Sequence, residues 1–436
     1  MTPDSNPFIY SRAVNSEEFL GYELELRRLF GRLRTRQSTA IVGQPHTGKT
    51  SLLKNLHNLE AAKTGDGNAK SRNIFSFLDA HTLHNLNNQT EFWKRALFPV
   101  TEYLKANRTM TPTSLTSLCN TAEDNGFGTF VLEQLFGGIG EADLQFVLLL
   151  DEFDDFLSNP VLNSAEFYGG LRSLASRSTG LVLVIAARRD LEQLNRLTQA
   201  INPHGSPYFN VFTEIHLGSI TERAMSQLLD RAGALFNRMD REFIVTVSGY
   251  HPYLAQAAAA MLWDVHEEAA LTGVGRYKAA GMALNRHTRK HFVDTWFSWT
   301  NETRKAIAAV ALSQIPLLVK GHAFLVSELI DDLDDYLPEL ETLQESGICV
   351  QHSSGQWRIT QVAFLWWLAD ELRRNVRDDS EFKGWLQAQE MEGLFTTKER
   401  RRVGKAVSDV LKVMGKGVTT LIESTATGVS KHLISN

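Results

Sequence analysis

Gly43, Gly48, Lys49 and Thr50 stand at the spacing G-x-x-x-x-G-K-S/T, the pattern of a phosphate-binding P-loop. Glycines let the backbone curl until successive N–H groups point at one anion, and the helix that follows adds its positive end. A lysine in this position reaches β- and γ-phosphates, and the Thr50 hydroxyl can ligate Mg²⁺. The expected contacts to ATP or ADP are therefore Gly43, Gln44, Pro45, His46, Thr47, Gly48, Lys49, Thr50 and Ser51. A second pair of groups, Asp151-Glu152, follows the apolar run Phe146-Val147-Leu148-Leu149-Leu150. A carboxylate there would hold Mg²⁺, and Glu152 is placed to orient or deprotonate an attacking water. Taken alone, two acids after a strand also suit an ordinary helix start. Arg188 and Arg189 end the next apolar run; Arg188 is the first candidate for a γ-phosphate contact, against the simpler reading of an exposed arginine pair. Lys49, Glu152 and Arg188 make up the expected catalytic set, with Thr50 and Asp151 as metal ligands.

These residues need a sheet whose strand ends converge. Ala40-Ile41-Val42 leads into the loop, and residues 74–79, 146–150, 181–187 and 211–217 read as further strands. Continuous apolar runs suit strands buried on both faces, and their alternation with helical stretches indicates a parallel sheet with right-handed crossovers. A helix is expected over residues 17–33 and a loop over 65–68. After residue 221 strand signals stop. Helices are expected over 222–237, 240–247, 253–268, 302–312, 325–332, 337–345 and 363–376, with a two-stranded hairpin over 348–360 that turns at Gly355. Helices followed by a hairpin form the winged-helix pattern. Its lone histidine, His352, reads as exposed. The expected boundaries are a P-loop domain over residues 1–220, a helical lid over 221–295, a winged helix over 296–376 and a tail over 377–436.

The chain has 436 residues, 43% of them hydrophobic and 22% charged, with a net charge of −5. That is an ordinary globular balance, and not that of a protein that coats nucleic acid. Two cysteines far apart exclude a disulfide framework and a cysteine zinc site. With no signal-like N-terminus and no apolar run approaching the ~18 residues of a membrane span, a cytoplasmic protein is expected.

The tail differs. Lys398, Arg400, Arg401, Arg402 and Lys405 form a basic run, and residues 398–436 carry eight Lys/Arg against three acids. Val403, Val407, Val410, Met414, Val418, Leu421, Thr425, Val429 and Leu433 step by three or four, one amphipathic stripe of about 30 residues. Gly404, Gly415, Gly417 and Gly428 weaken an isolated helix but permit close helix–helix approach. Three readings stay open: docking on the protein's own body, binding a partner helix, or lying on a membrane.

The chain resembles the STAND class of signalling P-loop ATPases, in particular the archaeal-ATPase-like branch found in bacterial conflict systems. The matching stretches are Asn6-Pro7-Phe8, Phe19-Leu20-Gly21-Tyr22-Glu23, the P-loop, Leu148-Leu149-Leu150-Asp151-Glu152-Phe153, Ala186-Ala187-Arg188, Ser206-Pro207-Tyr208-Phe209-Asn210 and Gly249-Tyr250-His251-Pro252-Tyr253. Together they cover about residues 6–375. The family usually reads Gly-Arg-Glu before the P-loop; Tyr22 replaces the arginine here, so no arginine role carries over. The resemblance implies an α/β P-loop NTPase of the ASCE type, followed by a helical lid, a winged helix and an α-helical tail. It implies an adenine contact through His251 and Pro252, with ADP held among core, lid and winged helix. It further implies an ATP-driven homo-oligomer, slow ATP hydrolysis, and signalling in antiphage immunity or regulated cell death. An unidentified trigger and a downstream effector would be partners, and the activated form could associate with membranes. A DNA-acting ATPase of the origin-binding or transposition-regulator type is the alternative. The acidic stretch Asp331-Asp332-Leu333-Asp334-Asp335-Tyr336-Leu337-Pro338-Glu339 opposes phosphate contact by the winged helix.

Overall fold

The computed structural model describes residues 5–65, 72–109, 111–268, 271–320, 325–331, 333–376, 379–415 and 417–434. Residues 66–68 of the expected loop, Asp332 and the last two tail residues lie outside them. The chain divides into two compact units. One comprises Ala13–Gly43 and Gly48–Leu217; the other comprises Met1–Arg12, Gln44–Thr47 and Gly218–Asn436.

The first unit is built on a five-stranded sheet: β1 (Thr39–Gly43), β2 (Asn73–Asp79), β3 (Gln145–Asp151), β4 (Leu181–Ala187) and β5 (Thr213–Leu217). Their order is β2-β3-β4-β1-β5, and every pairing is parallel. All seven residues of β3 and of β4 are buried, as their unbroken apolar sequences require. The order also fixes the site. β4 lies between β1, which leads into the phosphate loop, and β3, which ends at Asp151. The C-terminal end of β4, where Arg188 follows, is therefore flanked by both.

Two expectations in this unit shift. The helix expected from residue 17 begins at Glu23, because Gly21 and Tyr22 both take positive φ (82° and 63°) and cannot continue a right-handed helix. The last strand starts at Thr213 rather than 211, since the Phe212 N–H closes a turn onto the Phe209 carbonyl at 3.1 Å.

Among the described residues the second unit is helical except for one hairpin. Its helices run Glu222–Asp230, Arg238–Ser248, Pro252–Glu267, Val274–Ser298, Asn301–Lys320, Leu337–Glu345 and Val362–Asn375, with β6 (Cys349–Gln351) paired antiparallel to β7 (Trp357–Ile359). Its core holds an indole-rich cluster in which Trp296 meets Trp367 at 5.7 Å and Phe364 at 6.5 Å. The helix expected over 222–237 stops at Asp230, and short turns carry the chain past Gly233 at positive φ. The helix expected over 325–332 is a single 3₁₀ turn, Val326–Glu328. Val326, Leu329 and Ile330 are all buried from that turn, so no longer helix is needed to seat them.

The tail packs inside this second unit. Helices Asp379–Ala388, Thr397–Met414 and Val418–Ile434 replace the single long stripe, which breaks at Gly415 and Gly417, both at positive φ. Val403, Val407, Val410, Met414, Leu421, Thr425 and Val429 are buried. Val418–Ile434 lies against Val274–Ser298. There the small residue is Gly281, where an added Cβ would meet Ile422 at 2.6 Å. Trp366 donates from Nε1 to the Thr425 hydroxyl at 3.3 Å, and Lys278 pairs with Glu423. These seven residues of the stripe are thus covered by the protein's own helices.

Candidate nucleotide site

The phosphate loop leaves β1 at Gly43. The Thr47 N–H and hydroxyl both donate to the Gln44 carbonyl, at 3.3 and 2.9 Å, and His46 sits at φ 64°. Gly48 follows at φ 95°, and the helix Lys49–Gly65 starts at once, Leu52 N–H donating to the Gly48 carbonyl at 2.8 Å. The Tyr22 ring lies behind this turn, 3.7 Å from where a Gly48 Cβ would stand. Tyr22 is fully buried, and burial pushes its phenol well above the ordinary range. In place of the family's arginine there is a neutral ring supporting the loop. Ser51 accepts from the Val14 N–H at 3.2 Å, which anchors the chain that leads to Tyr22.

Lys49 is buried, and its ammonium donates to the Gly43 carbonyl across the loop at 2.8 Å. Burial lowers its pKa, while Glu152, Asp154 and Asp151 act against that. A buried ammonium at the base of the loop is the point charge that an incoming polyphosphate would take up. Thr50 hydrogen-bonds to the Asp151 carboxylate. Burial raises the Asp151 pKa, partly offset by the Thr50 bond, with Glu152 pushing further upward. A hydroxyl and a carboxylate side by side are the hard oxygen donors that Mg²⁺ takes, so the pair fits that ion. Mg²⁺ held by these two residues would supply positive charge against a bound polyphosphate.

Glu152 follows at φ 50° and caps the 3₁₀ turn Phe153–Ser158. Its carboxylate is clasped by Arg188, whose Nη2 and Nε donate to Oε2 at 2.9 and 3.2 Å. Asp154, unassigned from the sequence, is buried and accepts from the Arg188 N–H at 2.6 Å, the Arg189 N–H at 3.2 Å and the Arg189 guanidinium at 3.3 Å. It fixes the end of β4 to the turn that carries Glu152. Arg189 is therefore paired with Asp154, and Arg188 is the arginine that faces Glu152. Charged hydrogen bonds are worth about 1.5–3 kcal/mol each. Asp154→Ala is expected to lower unfolding stability by about 3 kcal/mol, and Asp154→Asn, which keeps an acceptor, by less than half of that. Urea unfolding midpoints of the two variants measure the difference.

Within the second unit, His251 caps the helix Pro252–Glu267, its Nδ1 accepting from the Leu254 N–H at 3.5 Å, with Pro252 in the first turn. The loop tip belongs to this unit. His46 stacks on Tyr253 at 4.7 Å and meets His291 at 5.3 Å; His291 in turn lies 5.3 Å from His251. Burial holds His291 well below the ordinary imidazole range, and His251 and His46 push it lower. Ser298 donates to the Gln44 side chain at 3.3 Å. The sequence singled out His251 and His46 separately. Their meeting through His291 and Tyr253 had no local signal beyond the abundance of rings.

The family described as "AAA domain" matches residues 32–194, which hold the loop, Asp151, Glu152 and Arg188. The family described as "Novel STAND NTPase 2" matches residues 142–315, which hold Asp151, Arg188 and His251. No curated protein matches the sequence. Among solved structures, a Walker-type ATPase of Pyrococcus abyssi is similar with a TM-score of 0.51 and 15% identity, over 83% of this chain and 99% of that one. The ORC2 protein of Aeropyrum pernix, in its ADPNP–ADP complexes, gives a TM-score of 0.41 at 13% identity, over 93% and 95% of the two chains. Drosophila ORC bound to DNA gives 0.40 at 12%, over 80% and 87%. The first of these shares the fold. With a P-loop after β1, the acid pair at the end of β3, an arginine just past β4 between them, one family match spanning all of these and a STAND-family match over residues 142–315, the chain is a P-loop NTPase whose matched residues resemble the STAND class.

Proposed function

We propose that this protein is an ATP-gated molecular switch that hydrolyses ATP slowly and assembles with copies of itself when ATP is bound. The observation that carries the reading is the Arg188–Glu152 clasp at 2.9 Å. The carboxylate placed to activate water is neutralised by the arginine at the neighbouring strand end. Turnover then requires that clasp to open, and an arginine drawn to a γ-phosphate would open it. Lys49 and the loop bind phosphates, Thr50 and Asp151 receive the metal, and Glu152 takes the proton from water once Arg188 moves. His46 at the loop tip stacks on Tyr253 within the helical unit, and we infer that occupancy of the loop changes this stacking. A ligand shifts a two-state protein only by its differential contacts, and these are the contacts a γ-phosphate would change.

The STAND class supports a signalling role, and we assign the output to bacterial antiphage defence or regulated cell death, with the tail helices as the segment that engages an effector, a partner helix or a membrane. Among the described residues no helix is long and apolar enough to cross a membrane. The buried stripe must therefore leave its present packing before it can contact anything else.

The test is the nucleotide that co-purifies and the particle mass with ADP and with ATP. Wild type is expected to carry adenine nucleotide and to gain mass with ATP; Lys49→Ala is expected to lose the nucleotide and stay at the mass of one chain. A wild type that stays monomeric with both nucleotides refutes the switch.

A further inference from the structure

Outside the nucleotide site, three metal-ligating side chains converge at one edge of the sheet. β2 runs into the 3₁₀ turn Ala80–Leu83, and β3 runs through Glu152 into the turn Phe153–Ser158. In 3₁₀ geometry residues three apart eclipse, so His81 and His84 emerge on one side of the first turn. Their rings lie 6.3 Å apart. Asp155 projects from the second turn, its Oδ2 2.7 Å from His81 Nδ1. One donor atom from each of the three lies within 4.8 Å of the others.

We propose that His81, His84 and Asp155 form a site for a borderline divalent transition-metal ion, zinc or cobalt in its place, distinct from the Mg²⁺ pair at Thr50 and Asp151. Two imidazoles and one carboxylate are a zinc donor set, whereas Mg²⁺ takes oxygens. Tetrahedral zinc at its usual bond lengths sets donors about 3.4 Å apart. His81 and His84 are exposed and Asp155 half-buried, so side-chain rotation alone closes the set, and a fourth position stays open to water. The backbones are already in place. Asp79 faces Asp151 in the β2–β3 register, the Asp79 carboxylate caps the first turn through the His81 N–H at 2.9 Å, and buried Asn159 donates to the Leu83 carbonyl at 2.9 Å. A surface His81–Asp155 ion pair accounts for two of the three residues; it gives no reason for His84. Because Glu152 caps the Asp155 turn, an ion here would stiffen the segment that carries the hydrolytic carboxylate.

The full chain, stripped with chelator and kept in excess Mg²⁺, is titrated with Co²⁺. One equivalent is expected to give visible ligand-field absorption that Zn²⁺ displaces, and Zn²⁺ is expected to raise the wild-type melting temperature. His84→Ala removes an exposed ring and should melt as wild type does without metal, bind Co²⁺ at least about tenfold more weakly, and lose the zinc-dependent rise. Asp155→Ser should behave likewise. Absence of saturable binding overturns the proposal. So does binding that both substitutions leave unchanged, which would place the ion on other histidines such as those around His291.

Discussion

Glu152→Gln is expected to keep ATP bound and to slow its hydrolysis by about 10²–10⁴-fold, the usual contribution of a positioned general base. Binding should survive because the groups that would hold phosphate are elsewhere: the loop, the buried Lys49 ammonium and the Thr50–Asp151 pair. The fold should survive too. Gln retains an oxygen to accept from Arg188, and a half-exposed ion pair of this kind contributes at most about 1 kcal/mol. The variant should therefore retain ATP through gel filtration where wild type releases ADP, and under the proposed switch it should hold the larger mass longer. Phosphate release in single turnover and the retained nucleotide measure this. If the variant hydrolysed at near the wild-type rate, the base would be another group. Asp154 is a poor substitute, since its two oxygens already serve the Arg188 and Arg189 amides.

The parts of this site that were legible in the sequence are those written in consecutive residues. The P-loop spacing names its own chemistry. β3 and β4 announce themselves because strands covered on both faces must be apolar at every position, and the sheet order then places Asp151 and Arg188 beside the loop. What escaped was decided by residues distant in the chain. Nothing local marks Tyr22 as the floor under Gly48, or Asp154 as the clamp on two strand-end amides. The helix expected from residue 17 failed for a local reason that periodicity ignores: two successive residues at positive φ.

The tail shows the same limit. The acidic stretch after residue 330 and the basic run after 397 read as separate features, one opposing DNA contact and the other suggesting a partner. In the fold Asp331 lies 2.7 Å from Arg402 and 3.8 Å from Lys398, so the first acid of one segment pairs with two bases of the other. Two extremes of charge that look functional alone are in part each other's partner.

Glu399 at the start of that helix carries the largest expected effect on stability. It is nearly fully buried and faces buried Lys305 at 3.4 Å. It also accepts from the Thr396 N–H at 2.8 Å, closing a capping box, and from the Asp331 N–H at 3.1 Å. Lys305 donates to the Leu394 carbonyl at 2.6 Å and lies 4.8 Å from the Tyr336 and Phe395 ring centres. Removing one partner of a buried pair costs about 3–5 kcal/mol, because the other charge is left without compensation. Glu399→Ala is expected to reach that range, since it also orphans two N–H groups. Lys305→Met should cost less, because Glu399 keeps both of those donors. The pH dependence follows from the same contacts. Burial pushes the Glu399 carboxyl up, but the two backbone donors and the Lys305 ammonium outweigh it and hold its pKa below the ordinary 4.5. A carboxyl depressed in the folded state gives its full stabilisation above the unfolded pKa and loses it as pH falls through the folded one. Wild type should therefore lose stability below about pH 4.5 more steeply than Glu399→Gln. Urea unfolding of the three variants between pH 3 and pH 7, read as shifts of about 1–3 M for Glu399→Ala if the slope is unchanged, measures both effects. A Glu399→Ala chain as stable as wild type would mean that the Thr397–Met414 helix is held by its apolar stripe alone.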